Sequence, residues 1–145
     1  MESINRSALV PYTPEEMFNL VRDIEAYPRF LPWCHGARVL AQEVDEVRAS
    51  LEFSVGGLTR SFTTRNRHQV NKMIEMHLVD GPFSRLEGCW RFDRLGEAGS
   101  KISLFLEYDF ENRLAGIVIG PVFSQIANTL VDAFQKRALE IYGER

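Results

Sequence analysis

Three histidines and two cysteines are the side chains of this 145-residue chain best suited to proton transfer, metal binding or nucleophilic attack near neutral pH. Cys34 and His35 are neighbours. Adjacent residues of an extended chain point to opposite sides, so a thiolate–imidazole pair is not expected there. His68 and His77 are separated by a turn and each falls in a polar context, which reads as two surface histidines rather than ligands or bases. Cys34 and Cys89 lie far apart with no CxxC pair, the pattern of two reduced thiols and not of a zinc ribbon or a disulfide framework. There is no GxSxG, no HExxH and no glycine-rich phosphate loop; Gly56 and Gly57 alone signal a turn. No catalytic and no metal-binding residue is assigned, and the expectation is a protein that is not an enzyme.

Carboxylates are plentiful, but the hydropathy pattern puts most of them outside. From Arg38 to Phe110 the pattern has period two, as in strands with one dry and one wet face. Val47, Ala49, Leu51, Phe53 and Val55 alternate with Arg48, Ser50, Glu52 and Ser54. Leu58 and Phe62 follow among Thr, Ser and Arg, and then Ile74, Met76 and Leu78 stand against Glu75 and His77. Leu86, Gly88, Trp90 and Phe92 alternate with Arg85, Glu87, Cys89 and Arg91, and Ile102 to Phe110 repeat the pattern. Turn residues at Gly56–Gly57, Gly81–Pro82, Gly96 and Gly99 separate these runs. A long antiparallel meander is expected.

Helices flank it. Ile4 to Val10 reads as a short strand ended by Pro11. Thr13 then caps a short helix with Pro14 at its first position and Glu16 three residues after the cap. Met17, Phe18, Leu20, Val21 and Ile24 form its apolar face, and Pro28 is expected to end it. At the other end Phe123, Ile126, Ala127, Leu130, Phe134, Ala138 and Ile141 keep helical spacing. A helix from Val122 to Tyr142 would be about 30 Å long at 1.5 Å per residue, the one element able to cover the sheet. The uncharged run Leu114 to Val131 touches the lower limit for a membrane span. Gly116, Gly120 and Pro121 interrupt it, and Ser124, Gln125, Asn128 and Thr129 make one side polar, so no transmembrane span is expected.

One helix cannot touch every residue of a broad twisted sheet, so a pocket between the two is expected. Its lining would be Phe53, Phe62, Trp90, Phe92, Leu104 and Leu106 from the sheet and Phe123, Ile126, Leu130 and Phe134 from the helix. So few polar groups suit an apolar ligand; plain core packing is the alternative for each residue. The stretch AYPRFLPWC, Ala26 to Cys34, carries Tyr27, Phe30, Leu31 and Trp33 between two prolines. It either plugs the open end of the sandwich or, with Phe30 and Trp33, lines its entrance. The segment LAGIVIGPVF, Leu114 to Phe123, is similarly apolar and glycine-broken. Two such segments at one rim would form a portal for contact with lipid or a partner, and a capped core is the bland alternative.

The formal net charge of −3 excludes a surface built wholly for nucleic acid. Locally the balance differs. No acid lies between Glu52 and Glu75, whereas Arg60, Arg65, Arg67, His68 and Lys72 do. Arg65 and Arg67 share a strand face, so RNA phosphates or anionic lipid headgroups are candidate partners for Arg60, Arg65, Arg67 and Lys72; a solvated surface balanced by acids elsewhere is the alternative. The N-terminal MESINRSALVPY has no apolar run of signal-peptide length, and with the reduced cysteines this points to the cytoplasm. A length of 145 residues with 45% apolar content fits one domain, residues 1–145.

The order and wording of AYPRFLPWC, LVDGPFSRLEGCWRF, FLEYDF and VDAFQKRALEIYG closely resemble the bacterial branch of the coenzyme Q-binding proteins, the group that includes the ribosome association toxins, within the START-like or polyketide cyclase-like superfamily. The resemblance runs from about Ile4 to Gly143. It implies an α+β helix-grip fold: a curved antiparallel sheet wrapped around a long C-terminal helix, with two short N-terminal helices. It also implies two roles different in kind. One is non-enzymatic binding of a polyisoprenoid quinone (ubiquinone) or related lipid in support of respiration, with that lipid as bound ligand, no other cofactor, and peripheral contact with the inner membrane through Leu114 to Phe123. The other is binding to the large ribosomal subunit so as to block subunit association. The motifs do not separate them; with the apolar alternation and the two rim segments beside them, lipid binding is the leading expectation and ribosome binding the alternative.

Overall fold

Seven antiparallel strands form one sheet in the computed structural model, which describes residues 1–55 and 57–145. They are β1 (Glu2–Val10), β2 (Cys34–Gln42), β3 (Glu46–Val55), β4 (Leu58–Gln69), β5 (Met73–Asp80), β6 (Phe83–Leu95) and β7 (Gly99–Phe110). Their spatial order is β1-β7-β6-β5-β4-β3-β2, so the meander from β2 to β7 runs between hydrogen-bonded neighbours. Only the step from β1 at one edge to β2 at the other crosses the sheet. The chain makes that step through α1 (Pro14–Arg22) and a 3-10 helix (Ile24–Arg29). A second α-helix, α2 (Arg113–Tyr142), closes the chain and lies over β7 and β1.

The period-two reading is what the register shows. Partners across strands share a face, and Leu51 pairs with Phe62, Ile74 with Trp90, Trp90 with Leu104 and Leu86 with Tyr108. These residues make the inner face, while Arg48, Arg65, His77 and Glu87 make the outer one. Gly88 sits in the inner row between Met76 and Leu106. A Cβ there would come 2.3 Å from the Phe105 carbonyl oxygen, so only glycine lets β6 and β7 approach this closely. Gly57, at the expected β3–β4 turn, has φ of 83°; Gly56 and the side chain of Val55 lie outside the described residues.

Helix α1 begins as its spacing predicts: the Glu16 amide donates to Thr13 Oγ1 at 3.2 Å, and the Thr13 amide donates to Glu16 Oε1 at 3.0 Å. It ends earlier than expected. Asp23 leaves helical geometry at φ −81° and ψ 70°, and the chain resumes as the 3-10 helix with Pro28 inside it. The first residues of AYPRFLPWC therefore do belong to a regular element, because one short turn of i to i+3 bonds tolerates a missing N–H better than a continuing α-helix does.

Helix α2 also departs from expectation, starting at Arg113 and not at Val122. Gly116, Gly120 and Pro121 do not break it. Asn112 caps it, its Oδ1 accepting from the Ala115 amide at 2.8 Å. The two glycines lie flat on the Phe110 ring, where an added Cβ would be 3.5 and 3.6 Å away, and packing of this kind outweighs low helix propensity. By length and composition alone α2 could cross a membrane. Its polar side is engaged by protein instead: Arg6 on β1 donates to Asn128 Oδ1 from Nη2 at 2.8 Å and from Nε at 3.2 Å. Its C-terminal end is docked by Tyr12, Tyr142 and the Glu16–Arg145 pair.

Candidate ligand cavity

Because α2 lies over β7 and β1, the inner face of β3 to β5 is left partly uncovered, and a cavity remains between sheet and helix. Ala49, Leu51 and Phe53 of β3, Phe62, Thr64 and Asn66 of β4, Met76 of β5, Leu86 and Trp90 of β6, and Leu104 and Leu106 of β7 form its floor. Phe123, Ile126, Ala127, Leu130 and Phe134 of α2 form the roof, and Ile24, Tyr27 and Trp33 close one side. The space not filled by atoms is about 800 Å³ with its open part included, of which about 80 Å³ admits the centre of a water-sized molecule. One water needs roughly 10–15 Å³ on the latter measure. The cavity is thus a slot, small in the space it leaves free yet with room for more than one water-sized molecule. Trp33, Leu51, Phe62, Met76 and Leu130 are only half-buried, so the slot is not sealed.

Every residue expected to line a pocket does so except Phe30 and Phe92. The Phe30 ring meets the edge of Phe134 at 5.2 Å and carries the Arg137 guanidinium 5.1 Å from its centre. Phe92 turns to α1, where Phe18 meets it edge-on at 5.8 Å. AYPRFLPWC divides its aromatics: Tyr27 and Trp33 reach the cavity, and Leu31 is core at 1% exposure. Of the second apolar segment only Phe123 lines the slot, while Leu114, Ile117 and Val118 stand exposed. The lining also takes in residues outside the expected set, the apolar Ile24, Tyr27, Ala49, Leu51, Met76, Leu86 and Ala127 and the polar Thr64 and Asn66, and the two polar ones are those that hydropathy hides. Strand parity with Phe62 is the signal that finds them.

The polar chemistry of the lining is sparse. Thr64 donates from Oγ1 to Asn66 Oδ1 at 2.9 Å, and Asn66 is 6% exposed. The Tyr27 hydroxyl donates to the Val21 carbonyl oxygen. Burial, with smaller contributions from Cys34 and Asp23, pushes its pKa well above the ordinary tyrosine value, so it stays protonated. Among the described residues of the lining, Tyr27 is the one with an ionisable side chain. Outside the slot, burial pushes Cys34 up to about 11, and His35 beside it is exposed.

His68 corrects an expectation. It is no surface residue: its ring meets Phe18 edge-on at 5.6 Å, and its Nε2 is buried without a hydrogen-bond partner among the described residues. Burial, seconded by Arg22 and opposed by Asp45, holds its pKa below the usual value. The basic residues also separate. Arg65 and Arg67 share the outer face, with Arg48 in register with Arg65. Arg60 is in register with inward-facing Phe53, and Lys72 lies in the β4–β5 turn. The interval free of acids in sequence is not so in space: Glu46 and Glu75 are both in register with Arg67, and Glu46 approaches Arg65 Nε at 3.5 Å.

The family described as polyketide cyclase / dehydrase and lipid transport matches residues 10–135. A protein of Pseudomonas aeruginosa named ribosome association toxin RatA is 46% identical over 140 residues, covering 97% of each chain. The mitochondrial coenzyme Q-binding protein COQ10 homolog B of Xenopus laevis is 27% identical over 97% of this chain and 59% of its own. Among solved structures, the ZhuI aromatase/cyclase of Streptomyces superposes with a TM-score of 0.84 over 99% of both chains at 13% identity, a likeness of fold.

Proposed function

We propose, from the premise that this chain belongs to the polyketide cyclase / dehydrase and lipid transport family and within it to the ribosome association toxins, that it acts by binding the large ribosomal subunit and not by catalysis. The observation that carries this reading is identity of 46% along nearly the whole length of both chains, against 27% for the coenzyme Q-binding relative. Arg48 and Arg65, in register with each other on the outer face, support contact with RNA phosphates, and Arg67 beside them is flanked by Glu46 and Glu75. Sedimentation of lysate through a gradient at low salt tests it. The protein should travel with the large-subunit fractions, and Arg65→Glu with Arg67→Glu should release it. Absence from those fractions in the unaltered protein ends this reading.

A second reading, favoured by the slot itself, is that the protein holds an apolar molecule of prenyl-quinone type without turning it over. Apolar walls and a protonated, hydrogen-bonded Tyr27 provide a place to bind and no acid or base with which to react. Exposed Leu114, Ile117 and Val118 support contact with a lipid surface as the source of such a molecule, and in this reading the protein works in the cytoplasm and peripherally at the inner membrane. Organic extraction of purified protein, read by mass spectrometry, should yield a prenyl lipid. A slot that is repeatedly empty and also takes up no added quinone rules the reading out. The two roles use opposite faces of the sheet and need not compete.

A further inference from the structure

We infer that the Asn66 side-chain amide is the polar anchor of the slot, donating a hydrogen bond to a neutral carbonyl oxygen of an otherwise apolar ligand. This rests on the ligand-holding reading above. Asn66 lies on the inner face of β4, in register with Val47 on one side and Met76 on the other. An amide among such neighbours costs stability unless its donors are met. Oδ1 is met, by the Thr64 hydroxyl at 2.9 Å. The hydrogen bond from Thr64 is the one found for this side chain among the described residues, and Nδ2 is not among the fully buried atoms left unpartnered, so on a residue 6% exposed that lines the slot it keeps a little accessible surface. With the amide oriented by Thr64, its N–H groups are left for whatever enters.

The rest of the lining defines the class of ligand. Tyr27 spends its hydroxyl on Val21 and Thr64 spends its own on Asn66, which leaves the indole N–H groups of Trp33 and Trp90 as the other side-chain donors among the described lining residues. No cation lines the slot, so a carboxylate or phosphate would be desolvated without compensation. A ketone, quinone or ester carbonyl on an apolar body fits.

Equilibrium dialysis of the full chain against decyl-1,4-benzoquinone and against decylbenzene separates the anchor from the slot. Asn66→Leu, close in volume, should weaken binding of the quinone about five- to tenfold, the scale of one hydrogen bond, and change decylbenzene less than twofold. Equal effects on the two ligands, or none on the quinone, overturn the anchor and leave the slot standing. Failure of the unaltered protein to bind either overturns both. Circular dichroism checks that the variant folds. Should it not, the carbonyl stretch of bound, isotope-labelled quinone in the unaltered protein decides: a shift below its frequency in hexane supports the anchor, and an unshifted band overturns it.

Discussion

The Tyr12 hydroxyl donates a hydrogen bond to the Gly143 carbonyl oxygen at 2.8 Å, fastening the loop after β1 to the end of α2. The Tyr142 ring lies 5.8 Å away, and its hydroxyl donates to the Glu16 carbonyl oxygen at 2.9 Å. Tyr12→Phe keeps the ring and removes only the hydrogen bond. Unfolding free energy should fall by about 0.5–1.5 kcal/mol, read as a lower urea midpoint at unchanged slope.

Two glycines should respond oppositely to the same methyl group. Gly88→Ala drives a Cβ to 2.3 Å from backbone oxygen and should cost about 1–3 kcal/mol or more, because strands must part to admit it. Gly36→Ala meets only Glu52 Cβ, at 3.6 Å, and should stay within about 0.5 kcal/mol of the parent. Thermal midpoints compared side by side check both.

His68 makes stability depend on pH. Its folded pKa lies below the ordinary 6.5 because burial disfavours the charged ring. The unfolded chain therefore binds the proton more readily, and stability rises with pH across this window. The contribution is complete above about pH 6.5 and is lost as pH falls towards the folded value. Denaturant midpoints between pH 7 and 5 should fall in the parent and fall less in His68→Leu; parallel slopes would show that His68 is not the group responsible.

Cys34 is 4% exposed and its pKa is pushed up to about 11. Near pH 8 the thiolate is then on the order of one part in a thousand, and labelling should be far slower than for a free thiol. Timed alkylation with peptide mapping measures this. Rapid modification of Cys34 in the folded protein would contradict its enclosure; full reactivity should return in denaturant.

Much of this fold was legible because its sheet obeys one rule without interruption. Residues 47 to 53 and 102 to 108 alternate cleanly, and both fall inward where the pattern puts them. The capping box at Thr13 and Glu16 was equally plain, since it is satisfied within four residues. What failed were inferences about interruption. Gly116, Gly120 and Pro121 look like breakers in one dimension, and only the Phe110 ring beneath them explains the continuous helix. The site divides the same way. Aromatic lining residues announced themselves by size, whereas Thr64 and Asn66 resemble solvent-facing residues until their register places them on the inner face with Phe62. His68 was misjudged for the same reason, because its burial comes from Phe18, fifty positions earlier in the chain.

The borders of the sheet settle how copies of this chain meet one another. At β2 the register slips twice, between Cys34 and Gly36 and between Val39 and Ala41, so its free amides present no straight rail to a passing strand. At β1 the long guanidinium of Arg6 reaches over to α2 and ties that margin to the roof. Crowded molecules thus find the β2 border poorly suited to main-chain zippering, a safeguard against fibrous growth on that side of the fold.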